Sequence, residues 1–118
     1  MNDYLLLLGG VGLVKGKVKG FGPALLQASK DLSECMRSSG WSTSAPFDKV
    51  SLIVKYGADP SQKVEIGRIN KHKELEASIQ IPLQQLQNSS SLETEIKEIS
   101  VHVLNLVSTK YGLPKITV

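Results

Sequence analysis

The stretch that decides the fold is VSLIVKYGADPSQKVEIGRINKHKELEASIQIP, residues 50–82. Apolar and polar side chains alternate in it three times, over residues 50–56, 64–69 and 75–81. This period of two is typical of β-strands with one buried face. Polar segments of turn-forming composition separate the three runs. Because short turns join consecutive strands, the stretch predicts an antiparallel meander.

A helix is predicted on the N-terminal side of this meander. It opens at Phe21-Gly22-Pro23, where proline suits the first helical turn. Its apolar residues recur at intervals of three and four, which indicates one buried stripe. The stripe consists of Leu25, Ala28, Leu32 and Met36, widened by Leu26 and Cys35. Gly40 is expected to end the helix as a left-handed C-cap.

A second helix is predicted on the C-terminal side, after a polar linker at residues 84–91. Ser90 and Glu93 have the spacing of a capping box, so the helix should begin near Ser90. Its apolar stripe is Leu92, Ile96, Ile99, Val103 and Leu106, reinforced by Leu104 and Val107. Beyond it, Ile116 and Val118 are expected to add a short terminal strand.

The N-terminal part, residues 4–19, is predicted to form one long strand or a bent pair of strands broken at its glycines. Its apolar run is shorter than the roughly 20 residues that a membrane-spanning helix needs. It also lacks the positive residue and the cleavage site of a signal peptide. The single cysteine, Cys35, fits a reducing compartment. We therefore expect a cytoplasmic protein.

Together these elements predict an α+β fold in the order β-α-β-β-β-α, with the terminal strand as an addition. The expected architecture is a two-layer sandwich, in which two helices pack on one face of a mainly antiparallel sheet of about four or five strands. All 118 residues are expected to form a single domain.

The residues that carry catalysis do not occur in a recognisable pattern. A phosphate-binding loop fails at Gly16-Lys17, because Val11 and Val18 stand where glycine and Ser or Thr are required. His72 and His102 have no further ligand at metal-site spacing. We therefore expect no enzyme, and no catalytic residue, metal or cofactor.

The segment VKGKVKG, residues 14–20, places Lys15, Lys17 and Lys19 at alternate positions. One interpretation is a strand edge that lysine protects against aggregation. The other is a basic stripe that binds an acidic surface of a partner, since exposed edges also accept partner strands. Four carboxylates are the remaining candidates for contact with a partner: Asp59, Glu65, Glu74 and Glu76.

Several stretches carry a family resemblance: VKGKVKG, APFDKVSLIVKYG (residues 45–57), ELEASIQIPLQQL (74–86) and VSTKYGLP (107–114). Their arrangement resembles small immunity proteins of bacterial polymorphic-toxin and contact-dependent growth-inhibition systems. The resemblance implies a non-enzymatic protein, made beside a toxin, that binds the toxin's C-terminal domain in the cytoplasm and neutralises it. That toxin is often a nuclease.

The charge of the chain departs from one common pattern, because inhibitors of nucleases are often acidic. Here 14 Lys and Arg outnumber 11 Asp and Glu, for a net charge of +3. A second hypothesis is therefore a small nucleic-acid-binding module that uses the lysine stripe, although the excess is mild and aromatic residues are few. A third is a small enzyme or ligand carrier with a pocket between sheet and helices.

Overall fold

The computed structural model describes residues 6–8, 16–41, 51–56, 63–70, 72 and 74–117. For residues 6–8 and 51–56 it describes the backbone alone. The regular elements are β1 (Leu6–Leu8), α1 (Phe21–Ser38), β2 (Ser51–Tyr56), β3 (Lys63–Ile69), β4 (Leu75–Pro82), α2 (Leu83–Gln87) and α3 (Leu92–Val107). The α+β class predicted from the sequence is confirmed.

The strands lie in the sheet in the order β1-β2-β3-β4. β2, β3 and β4 pair antiparallel, with Val54 opposite Ile66 and Ile66 opposite Ile79. β1 instead pairs parallel to β2, with Leu7 opposite Leu52. The predicted meander of residues 50–82 is therefore present, and the N-terminal strand joins it on the side of β2.

One face of the sheet meets the helices. α3 packs against β3 and β4, and α1 packs against α3. Alternation along β3 places Val64 and Ile66 on this inner face, where both are fully buried. The helices contribute much of one continuous core, which includes Phe21, Ala28, Leu32, Met36, Ile96, Val103 and Leu104.

A β-bulge at the start of β4 interrupts the predicted alternation. Arg68 pairs with Ala77, yet the next residue, Ile69, pairs with Leu75, so Glu76 is an additional residue without a partner across the strands. The prediction that Leu75 shares the buried face of Ala77 is therefore wrong. Leu75 is 46% exposed, whereas the side chain of Glu76 is only 4% exposed.

Gly67 allows β3 and β4 to approach each other beside this bulge. A Cβ atom at position 67 would lie 2.6 Å from Cδ1 of Leu75 and 3.0 Å from the backbone oxygen of Ala77. Both contacts are tighter than packed atoms normally allow, and the second is with the backbone, which cannot rotate away. Glycine is thus required here for close approach of the chain.

The element order differs from the prediction at three places. Gly16 and Lys17 are helical and residues 18–20 form a turn, so the predicted long strand does not reach Lys19. Gly20 precedes α1 with a φ of 79°, and the side chain of Val18 enters the core. Residues 83–87 form α2 instead of a polar linker. Residues 113–117 form no strand, although Ile116 is buried, and Val118 lies outside the described residues.

The helices follow their predicted bounds more closely. Gly40 adopts a φ of 90° after α1, which confirms the left-handed C-cap. The N-cap of α3 is Ser91 and not Ser90, and the Ser91 hydroxyl donates to Oγ1 of Thr94 at 2.8 Å instead of forming a capping box. On the same helix Leu106 is exposed, so its predicted place in the buried stripe is wrong.

Side-chain hydrogen bonds fix the C-terminal segment to α3 and to Trp41, which follows α1. Nε1 of Trp41 donates to the carbonyl oxygen of Pro114 at 2.6 Å. The Asn105 side chain on α3 accepts from the backbone N–H of Ile116 at 2.8 Å and donates to its carbonyl oxygen at 3.1 Å. The segment thereby closes one side of the core.

Two leucines of α3 provide a test of this packing. Leu104 is 0% exposed and Leu106 is 54% exposed. We expect Leu104→Ala to lower the free energy of unfolding by about 2–5 kcal/mol, because it leaves a cavity in the core. The matched Leu106→Ala should change it by less than about 0.5 kcal/mol. Urea denaturation followed by circular dichroism measures both, and equal effects would contradict the packing described here.

Candidate functional site

A cluster of polar side chains lies where the bulge of β4 meets the turn after α3. The carboxylate of Glu76 is 3.4 Å from Nε of Arg68, whose side chain is 2% exposed. The hydroxyl of Tyr111 donates to both carboxylate oxygens at 2.8 and 2.7 Å. Nζ of Lys110 donates to Oε2 at 2.9 Å. With Asn70, these residues are called the Glu76 cluster below.

Asn70 connects this cluster to the turn between β3 and β4. Its Oδ1 accepts hydrogen bonds from the backbone N–H groups of His72, at 2.8 Å, and Glu74, at 3.0 Å. Its Nδ2 donates to the side chains of Glu74, at 3.1 Å, and Glu76, at 3.3 Å. One amide therefore folds the turn and at the same time holds the buried carboxylate.

Donors and cations on several sides keep Glu76 charged. Burial raises the pKa of its carboxyl, but the hydrogen bonds from Lys110 and Tyr111, with the cluster's other donor and cation, lower it below the ordinary 4.5. The hydrogen bond to Glu76 raises the pKa of Lys110. Burial and the same carboxylate raise the pKa of Tyr111. The cluster thus holds an ionised carboxylate between two cations.

The sequence pattern does not group these five residues, although it contains one signal. Arg68 stands in the alternation of Val64 and Ile66, on the inner face of β3. A charged residue in a buried register needs a partner of opposite charge, which a search for acidic residues near the neighbouring strand could have supplied. The bulge that brings Glu76 to that face has no such signal.

The lysine candidates do not form a strand edge in the part of the stripe that is described. Lys17 is helical and Lys19 lies in the turn before α1, and both are exposed. The carbonyl oxygen of Lys17 accepts a hydrogen bond from Nε2 of Gln87 at 3.0 Å, which joins this segment to α2. Lys15 lies outside the described residues. The role of the stripe in partner binding stays a prediction.

The acidic candidates fall in three different environments. Glu65 lies on the outer face of the sheet, where its Oε2 accepts from the hydroxyl of Ser78 at 2.8 Å. Glu74 is exposed at the turn before β4, and Glu76 is buried in its cluster. Asn70 brings Glu74 and Glu76 together, whereas Glu65 stays apart from them. Asp59 lies outside the described residues.

An open cleft of about 680 Å³ lies between α1 and α3. Its lining mixes both charges: Asp31, Glu34, Cys35, Arg37, Ser38 and Lys97. Cys35 lines the cleft and packs partly against the core, so it is less buried than a core residue. Among the described residues, no group of His, Cys, Asp and Glu side chains has the arrangement of a metal site. In that same part of the chain, no helix has the length and hydropathy of a membrane span.

The described residues thus form a small α+β domain. Its main polar site, the Glu76 cluster, consists of residues that bind one another and so stabilises the fold. The chain belongs to the immunity protein 39 family, whose family model matches residues 1–118. This match confirms the resemblance to immunity proteins of toxin systems. No curated protein and no solved structure matches the chain.

The Glu76 cluster predicts a stability that depends on pH. We expect Glu76→Gln to lower the free energy of unfolding at pH 7 by about 3–5 kcal/mol, because it removes the charge of a buried carboxylate that pairs with Arg68. The folded-state pKa of Glu76 is depressed, so its contribution is complete above the unfolded value and is lost as the pH falls through the folded value. The difference in free energy of unfolding between the Glu76→Gln protein and the unsubstituted protein should therefore become smaller below about pH 4.5.

Urea denaturation at a series of pH values measures this effect. Glu98→Gln is the matched control, because Glu98 is exposed on α3. Its free energy of unfolding should stay within about 0.5 kcal/mol of the unsubstituted protein at pH 7. If the free energies of unfolding of the Glu76→Gln protein and the unsubstituted protein differ by the same amount at every pH, the carboxylate is not held ionised in the fold.

Proposed function

We propose that this protein is a non-enzymatic immunity protein that binds a cognate toxin and neutralises it. The observation that carries the proposal is the match of the immunity protein 39 family model along residues 1–118. We further propose that the interaction takes place in the cytoplasm and that the partner is the toxin's C-terminal domain.

The construction of the scaffold supports a binding role. An inhibitor binds more tightly when its surface is ordered before the encounter, because less conformational entropy is lost on association. The Glu76 cluster orders the β3–β4 turn and the turn after α3, and Asn105 and Trp41 hold the C-terminal segment. These contacts fix two surface segments that lie far apart in the sequence, the β3–β4 turn and residues 108–117.

The exposed charges are compatible with a toxin that acts on nucleic acid. Glu34, Glu93 and Glu98 are exposed on α1 and α3, so a chain of net positive charge still displays carboxylates to a basic partner. Lys17 and Lys19 offer the opposite charge on the segment before α1. We therefore propose a nuclease as the toxin.

The proposal is tested with the toxin domain encoded next to this protein. We expect a tagged preparation to capture that domain one-to-one, to abolish its activity in solution, and to protect cells that express it. Binding is measured by isothermal titration calorimetry. A protein that neither captures the domain nor protects cells would overturn the proposal. Binding to mixed DNA or RNA that weakens steeply with salt would favour the nucleic-acid module instead.

A matched pair of charge reversals tests the lysine stripe within the same assay. Lys17→Glu with Lys19→Glu changes the net charge as much as Lys30→Glu with Lys63→Glu, and all four lysines are exposed. If the stripe contacts the toxin, the first pair should weaken binding by about tenfold or more, and the second by much less. If both pairs change toxin affinity by the same small factor, Lys17 and Lys19 do not contact the toxin and contribute only to solubility.

A further inference from the structure

β4 is the last strand of the sheet order, and no strand in the described part of the chain pairs with its free side. Such an edge presents a row of N–H and C=O groups that a further strand can pair with. The side chains of β4 are accordingly more exposed than those of β3. Apart from Glu76, whose side chain is buried, the residues from Leu75 to Gln80 of β4 are at least partly exposed, whereas Ile66 to Ile69 of β3 are all buried.

Proteins guard such edges with bulges, prolines and charged side chains. In β4 these devices stand only at the two ends, as the bulge at Glu76 and the proline at Pro82. Between them, residues 77–81 read Ala-Ser-Ile-Gln-Ile and contain no charge and no proline. This segment, residues 77–81, is called the open edge below.

We propose that the open edge accepts an extended segment of the toxin as an additional β-strand. This inference rests on the proposed function and names the surface and the binding mode. An extended backbone is the occupant that fits, because its N–H and C=O groups repeat at the spacing of the strand beside it. The bulge and the proline limit the paired length to about five residues.

Charge indicates which segment of a partner would bind. Ser78 draws the carboxylate of Glu65 toward β4 on the outer face of the sheet, through a hydrogen bond of 2.8 Å. Glu74 is exposed at the start of the strand. A strand that carries Lys or Arg on its outer face, near Glu65 or at the end near Glu74, and is otherwise without charged residues, therefore complements the open edge. A second copy of this chain offers no basic residue in residues 77–81, so it complements the edge less well.

Amide hydrogen exchange followed by NMR tests the proposal directly. In an edge strand every second N–H points away from the sheet, so either Ala77, Ile79 and Ile81 or Ser78 and Gln80 should exchange rapidly in the free protein. When the toxin domain binds, these amides should slow by about tenfold or more. The intervening amides should exchange slowly in both the free and the toxin-bound protein, because they already donate hydrogen bonds to β3.

A substitution at the same edge separates backbone pairing from side-chain contact. Ser78→Pro or Ile79→Pro, whichever residue has the rapidly exchanging amide, removes a backbone donor from the free side of β4, together with the side chain at that position. Toxin affinity should fall by about tenfold or more. The matched Gln80→Ala, which keeps the backbone donor, should change affinity by less than about threefold. Glu65→Gln should weaken binding and reduce its dependence on salt.

The outcomes distinguish this inference from the proposed function. A toxin that is bound and neutralised without protection of the open edge would overturn the inference and leave the function standing. Protection that appears without toxin and rises with protein concentration would assign the edge to a second copy of the chain. If the proline variant does not fold, the alternating exchange pattern of the unsubstituted complex still decides the matter.

Discussion

The burial of Glu76 against Arg68 is the constraint on which the surrounding structure depends. Two charges removed from water are stable only when close partners replace their hydration. Arg68 occupies a core-facing position of β3, and Glu76 of β4 supplies a counter-charge 3.4 Å away. Regular alternation would turn Glu76 outward, and the bulge turns it inward. The hydrogen bonds from Tyr111 and Lys110 then replace the hydrogen bonds to water that the carboxylate has lost on burial.

This electrostatic requirement has a geometric consequence for β4. The bulge anchors the beginning of the strand to the turn after α3, and Pro82 with α2 ends it on the other side. The strand between these points is held by β3 and covered on its inner face by α3. Its free edge is therefore anchored at both ends and of defined length, which favours the binding of a strand from a partner protein.

The sequence predicted the parts of the fold that depend on periodicity. The α+β class, the meander and the core of both long helices follow from apolar spacing alone. Periodicity also misplaced Leu26 and Leu106, which it assigned to buried stripes although both are exposed. Other misplaced residues lie beside a partner that is distant in the sequence. Leu75 and Glu76 exchange faces because Arg68 needs a carboxylate. Lys17 and Lys19 leave the predicted strand because Val18 enters the core. For the residues proposed to contact a partner, the sequence shows which are basic and which are acidic, but not which are buried and which are exposed.

Strand pairing through the open edge would leave specificity to be explained, because backbone hydrogen bonds are nearly independent of sequence. An immunity protein has to distinguish its own toxin from others, so side chains beside the edge must discriminate. Glu65 is suited to this role, since Ser78 holds its carboxylate on the outer face beside β4. A toxin strand with an acidic residue at the facing position would be repelled, whereas a basic residue would be attracted. The backbone of β4 would then supply affinity, and one oriented carboxylate would select the partner.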